Sequence, residues 1–142
     1  MRKKTSGTAA LMLFLACIFL SPGGVFAASK GEEELQKGLQ RYAAKEYVPA
    51  AVHFGKASAL LEKEKKFLLA GDAAYNEGLS RRSAPYDAGT ASVERAAAVL
   101  SAFDRSAALY VKAKDETKAA NALLQGAQTA LAAARLSDAE TR

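Results

Sequence analysis

His53 is the only histidine in the chain, and it stands beside Phe54 in an apolar stretch. An imidazole can hold a metal or move a proton, but a metal centre needs several ligands. There is no second histidine and the single cysteine is Cys17, so a site would have to be built from carboxylates. The glutamates gather instead in charged runs at Glu32 to Glu34 and around Glu62 to Glu64, where water solvates them, whereas general acid–base catalysis calls for a carboxylate in an apolar setting. Asp104 beside Arg105 reads as surface charge. No serine occupies a nucleophile elbow and no glycine-rich loop follows a strand. The expectation is a protein that is not an enzyme, with no catalytic residue, no cofactor and no metal.

Two other groups of polar residues suit recognition better than reaction. Asp72 and Asn76 interrupt an otherwise apolar stretch, and a buried polar pair must find water or a partner. Arg81 and Arg82 precede Ser83-Ala84-Pro85-Tyr86, where two guanidinium groups and an aromatic ring could meet an acidic partner or lipid or cell-wall anions, or simply form a solvated connector.

The elements that carry these residues begin after an address. Arg2, Lys3 and Lys4 make a basic start, Ala9 to Leu20 is an apolar run of 12 residues, and Val25-Phe26-Ala27 fits the small-residue rule for signal-peptidase cleavage after Ala27. Ser21-Pro22-Gly23-Gly24 ends the run short of the ~20 apolar residues that a membrane span needs. Cys17 does not read as a lipoprotein cysteine, because the apolar run continues through Ile18-Phe19-Leu20. The expected location is therefore periplasmic or secreted, with residues 1–27 as signal peptide and 28–142 as one domain.

Removal of the signal takes three of the 20 basic residues and leaves all 15 acidic ones, so the mature chain carries a formal charge of +2. That balance offers little of the counterion release that drives nucleic-acid binding, and no nucleic-acid partner is expected. Without a mature cysteine there is no disulfide, and stability must come from packing.

Trp is absent, prolines number three and alanine is abundant, which favours helix throughout. Five helices are expected. The first runs from about Lys30 to Ala44 behind a Ser29/Glu32 capping box, with Leu35, Leu39 and Tyr42 as its apolar stripe. The second carries Pro49 in its first turn and ends in the charged run from Glu62 to Lys66. A third, from about Lys65 to Leu79, is apolar on most sides and should be central. After a long loop from Ser80 to Ser92, a fourth helix runs from Val93 to Lys112 with Ala96, Leu100, Phe103, Ala107 and Tyr110 in a seam. Asp115 caps a fifth, whose apolar residues are Ala120, Leu123, Leu124, Ala127, Leu131 and Ala134.

One spelling recurs along the chain: Leu35, Gly38 and Tyr42 return as Leu68, Gly71 and Tyr75 after 33 residues, and more loosely as Leu123, Gly126 and Ala130. From Gly38 to Ala57, the order Gly38, Tyr42, Tyr47, Ala50, Phe54 and Ala57 resembles a tetratricopeptide repeat, in which small residues let two helices touch and aromatic rings fill the space beside them. The likeness covers residues 30 to 80 best. Glu34, Lys37 and Glu62 stand where that family has tryptophan, leucine and proline.

The resemblance implies an all-α fold of stacked antiparallel helical hairpins, about two and a half repeats, whose first helices line a groove for a peptide or a partner helix. By that likeness the groove positions include Glu32, Leu35, Leu39 and Tyr42, then Lys65, Leu68, Asp72, Tyr75 and Asn76. The lysine, arginine and asparagine set that grips a peptide's terminal carboxylate is absent. The implied function is a protein-protein interaction scaffold in the cell envelope, binding an envelope protein or peptide or forming a homo-oligomer, with Leu39, Tyr42, Asp72, Tyr75, Asn76, Arg81 and Arg82 as partner-binding candidates. A membrane-surface or envelope-stress helical protein without a peptide groove is the other reading.

Overall fold

The computed structural model describes residues 27–85 and 92–140. The expected signal segment upstream and Tyr86 lie outside them. The described residues are all-α, with helices α1 (Lys30–Ala43), α2 (Tyr47–Lys63), α3 (Phe67–Ser83), α4 (Ser92–Lys112) and α5 (Glu116–Glu140). Among them, no helix is long and apolar enough to cross a membrane.

Local chemistry sets the ends. The Ser29 hydroxyl accepts the Glu32 N–H at 3.3 Å and the Ser29 N–H donates to the Glu32 carboxylate at 2.9 Å, closing the expected capping box. Asp115 accepts the Lys118 N–H at 2.9 Å and caps α5. Helix α3 runs further than expected. Arg81 and Arg82 are helical and not part of a loop, because Arg95 of α4 reaches back to donate to the backbone carbonyls of Arg81 at 2.9 Å, of Pro85 at 3.1 Å and of Ala84. A cation on the last carbonyls of a helix satisfies acceptors that have no partner within it.

The three short connections are copies of one turn. Lys45, Lys65 and Lys114 each take a left-handed conformation, with φ of 61°, 59° and 60°. In each, the lysine N–H and the next N–H return to carbonyls of the finished helix: Lys45 to Tyr42 and Glu46 to Arg41, Lys65 to Glu62 and Lys66 to Leu61, Lys114 to Val111 and Asp115 to Tyr110. This is the Schellman closure, here made by lysine where glycine is usual. The residue five places after each lysine is a buried alanine, Ala50, Ala70 or Ala119, because two helices leaving so tight a turn cross at once and leave no room for more.

Each helix packs extensively only on its neighbours in the chain, α1 on α2, α2 on α3, α3 on α4 and α4 on α5. Glycine makes the close approaches. A Cβ on Gly31 would lie 2.7 Å from Leu61 and one on Gly38 2.6 Å from Phe54. In the next pair, a Cβ on Gly71 would lie 2.7 Å from Tyr110 and one on Gly78 2.9 Å from Phe103. Both pairs follow one plan, two glycines seven residues apart facing two large side chains seven residues apart on the antiparallel partner. The matching shift is 40 residues in the first helix of the pair and 49 in the second. The 33-residue step from Leu35 to Leu68 is not the register of the side chains: Leu35 is buried and Leu68 is 44% exposed.

A Gly38→Ala substitution gains helix propensity of ~0.5–1 kcal/mol but drives a methyl into a ring that is itself buried, which costs about 1–3 kcal/mol. Net destabilisation is expected in urea unfolding, with partial recovery when Phe54→Leu is added.

Two clusters of buried apolar residues stand out among the described residues. Leu35, Phe54, Leu61, Ala70, Ala74 and Leu109 lie at the centre of the first, with Leu39, Tyr42, Phe67 and Leu69 packed at its edge. Ala107, Tyr110, Ala119 and Ala122 form the second, with Tyr75 against it. Helix α3 is central as expected, buried at Ala70, Ala73, Ala74, Glu77 and Ser80. Helix α5 buries the side away from its leucines. Its buried residues are small, Ala119, Ala122, Gly126 and Thr129, while Leu123, Leu124 and Leu131 face out. The reason lies across the contact: α4 presents Leu100 and Phe103 to Gly126, so the facing surface of α5 must be shallow.

Candidate interaction surface

Most of the polar residues singled out from the sequence are engaged within the chain. Asp72 accepts from the Tyr110 hydroxyl at 2.7 Å and from Lys118 at 2.8 Å, so it joins α3 to α4 and α5. Burial, and then the neighbouring Asp72 carboxylate, push the Tyr110 phenol well above its ordinary pKa. Arg81 pairs with Glu77 at 2.9 Å. Arg82 donates to Gln125 of α5 at 2.8 Å and lies 5.7 Å from the centre of the Phe103 ring.

Tyr75 is half-buried edge-on to Phe103, with ring centres 5.4 Å apart, and its phenol is also raised by burial. Leu39 and Tyr42 pack at the edge of the first core, Tyr42 edge-on to Tyr47 at 5.3 Å. The half-buried Asn76 gives its backbone carbonyl to the Ser80 hydroxyl at 2.7 Å. The seven residues do not converge on one surface patch. Asp72, Tyr75 and Arg82 come together around Phe103 and Tyr110, inside the α3–α4–α5 junction.

The sequence reading missed Glu77. It is 6% exposed, beside Gly55 of α2, and is held by Arg81 from its own helix and Arg105 from α4. Asp104-Arg105 is thus more than surface charge, because the guanidinium reaches a buried carboxylate. The spacing of Glu77 and Arg81 by four residues was the available signal. Among the described residues, no group of three or more His, Cys, Asp and Glu side chains could hold a metal, and no buried side-chain polar atom lacks a partner.

His53 also has a structural partner, with its Nδ1 lying 2.8 Å from the Glu34 carboxylate. Lys37 at 2.6 Å, and then His53, hold the Glu34 pKa down at about 2 against an ordinary value of 4.5. Because the folded-state value is the lower one, the stability contributed by this pair is present above about pH 4.5 and is lost as the pH falls through about 2. Carboxyl NMR titration is expected to show Glu34 protonating near pH 2, below the ordinary carboxylate value of 4.5, with Lys37→Met moving its midpoint upward. The depression between α1 and α2, lined by Lys30, Glu33, Glu34, Lys56, Ala59 and Leu60, is open to solvent and shows no enclosed ligand cavity.

Val48 and Val52 of α2, Leu68 of α3 and Val111 of α4 are exposed, but the largest group of exposed apolar side chains on one helix is on α5. Leu123, Leu124 and Leu131 are 55%, 53% and 55% exposed, and Ala120, Ala127 and Ala134 lie on the same stripe. The shared turn explains the stripe. Lys65 and Lys114 are 49 residues apart, and at that shift Ala70, Ala73, Glu77 and Ser80 of α3 correspond to Ala119, Ala122, Gly126 and Thr129 of α5, all of them buried. At the same shift Gly71, Tyr75 and Gly78, the part of α3 that α4 covers, become Ala120, Leu124 and Ala127. The stripe is the surface that a following helix would cover. No family model, no curated protein and no solved structure matches this chain.

Proposed function

We propose that this protein is an exported, tetratricopeptide-like scaffold for protein–protein interaction in the cell envelope, holding a partner protein or another copy of itself. The observation that carries the reading is the bare apolar stripe of α5, which occupies the positions that in α3 are covered by the next helix. Supporting it are the packing of each helix chiefly on its chain neighbours, the repeated glycine-and-ring plan of the two pairs, and the engagement of the buried charges within the fold, which leaves packing as the chemistry on offer. The partner-binding role proposed for Leu39, Tyr42 and Asn76 is secondary to α5, and Asp72, Tyr75, Arg81 and Arg82 act in it by shaping the stack.

The test has two arms. Mass spectrometry of the exported protein is expected to give a mature start at Ala28; retention of residues 1–27 would overturn export by cleavage. A photo-crosslinker at Leu131 in the native envelope is expected to trap protein at one mapped segment, and one at Gln36 of α1 is expected to trap none. Equal or absent trapping at both would overturn the scaffold.

A further inference from the structure

We propose that the occupant of the α5 stripe is a second copy of this chain, with the two α5 helices packed antiparallel about a two-fold axis near Ala127. The inference rests on the reading of the chain as an open-ended helical stack and names the partner at its open end.

The two ends of the stack differ. The exposed residues of α1 are Lys30, Glu33, Gln36, Lys37, Gln40, Arg41 and Ala43, with no large apolar side chain among them. An α5 stripe seated on the α1 of the next copy would bury leucine against charge, so head-to-tail growth into a filament is disfavoured. A pairing of like with like closes after two copies, and in it residue i meets j as j meets i.

The stripe suits that symmetry. Ala120, Ala127 and Ala134 recur every seven residues, the repeat that keeps a seam facing a partner helix, and their small size lets two helix axes approach closely. With Ala127 on the axis, Leu123 of one copy lies opposite Leu131 of the other, and Ala120 opposite Ala134. The charges agree as well. Glu116 and Arg135 are exposed at opposite ends of the described stripe, and neither has an ion-pair partner among the described residues. In the antiparallel pair, Glu116 of each copy falls within one helical turn of the position opposite the other's Arg135, giving two ion pairs across the axis, whereas a parallel pair would set each charge against its like. Along a 25-residue helix the interface is at the small end of stable ones, so micromolar dimerisation is expected.

The full chain carrying Cys17→Ser has no cysteine of its own, and Ala127→Cys then supplies one on the axis. Oxidation is expected to cross-link two copies through Ala127→Cys but not through Glu33→Cys on α1. Sedimentation equilibrium at about 100 μM is expected to show a dimer, and Leu131→Glu to shift it to monomer with a loss of association of 100-fold or more at unchanged helicity. These are exposed positions, so the variants keep the fold. A monomer at that concentration, or a dimer unaffected by Leu131→Glu, overturns the second copy as occupant. If the protein is monomeric while Leu131 traps another envelope protein, this inference fails and the scaffold reading stands. If the dimer forms and the envelope yields no other partner, the inference stands and scaffolding of other proteins fails.

Discussion

Phe103→Ala is expected to cost about 3–5 kcal/mol, a large part of the ~5–15 kcal/mol that holds a domain of this size. Phe103 is fully buried where three helices meet: its ring faces Gly78 and Tyr75 of α3, lies beneath Arg82, and its Cβ sits 3.7 Å from the place a Cβ on Gly126 of α5 would take. Gly78 and Gly126 have no side chain to move into the space that truncation leaves, so part of the cavity persists. Because α5 touches only α4 extensively, its docking depends on the α4 residues Leu100, Phe103 and Tyr110. Urea unfolding should show a lower midpoint together with a smaller m-value if α5 detaches first, whereas Phe103→Leu should keep the m-value and lose much less.

The double variant Arg81→Met with Arg105→Met is expected to lose about 3–4 kcal/mol, while the triple variant that adds Glu77→Met returns close to wild type. The asymmetry follows from burial. Glu77 is nearly enclosed, so removing both cations strands a carboxylate in the interior, whereas the two arginine side chains are about two-fifths exposed and can turn to water when the carboxylate is removed. Either arginine alone should cost far less than the pair, since the other remains. Thermal unfolding of the single, double and triple variants gives the coupling directly; equal losses for the double and the triple would show that the arginines act by packing and not by charge.

The helices and their caps were legible because they rest on local chemistry: Ser29 with Glu32, Asp115, Pro49, and long stretches rich in alanine. The sides they bury were less so. On α5 the leucines stood out as the apolar residues, but a helix packed against Phe103 and Leu100 needs a shallow surface, and Ala119, Ala122, Gly126 and Thr129 supply it. The same preference for small residues at close crossings hid the true repeat, which is marked by left-handed lysines and glycine pairs and not by Leu35 and Leu68. Glu77 was invisible for a different reason. A carboxylate after Tyr75-Asn76 looks solvated until a helix 28 residues away brings Arg105 to it. Arg81 and Arg82 looked like loop residues because the carbonyls they precede are satisfied from Arg95, another distant donor. The candidate site was half legible: the apolar residues of α5 were named from the sequence, but the exposure that makes them a surface depends on the register that α4 imposes.

Helices two apart in the chain are tied chiefly by charged and polar links: Lys66 to Glu32, Lys112 to Glu62, Lys118 to Asp72 and Arg82 to Gln125. Apolar contact joins each helix to the next, but the stack's resistance to bending along its length rests on these outer links. Exposed ion pairs weaken as salt rises, while glycine-and-ring contacts do not. In concentrated salt the molecule should therefore become more pliable lengthwise without unfolding, and the attitude of α5 toward α1 becomes a property that the ionic surroundings set.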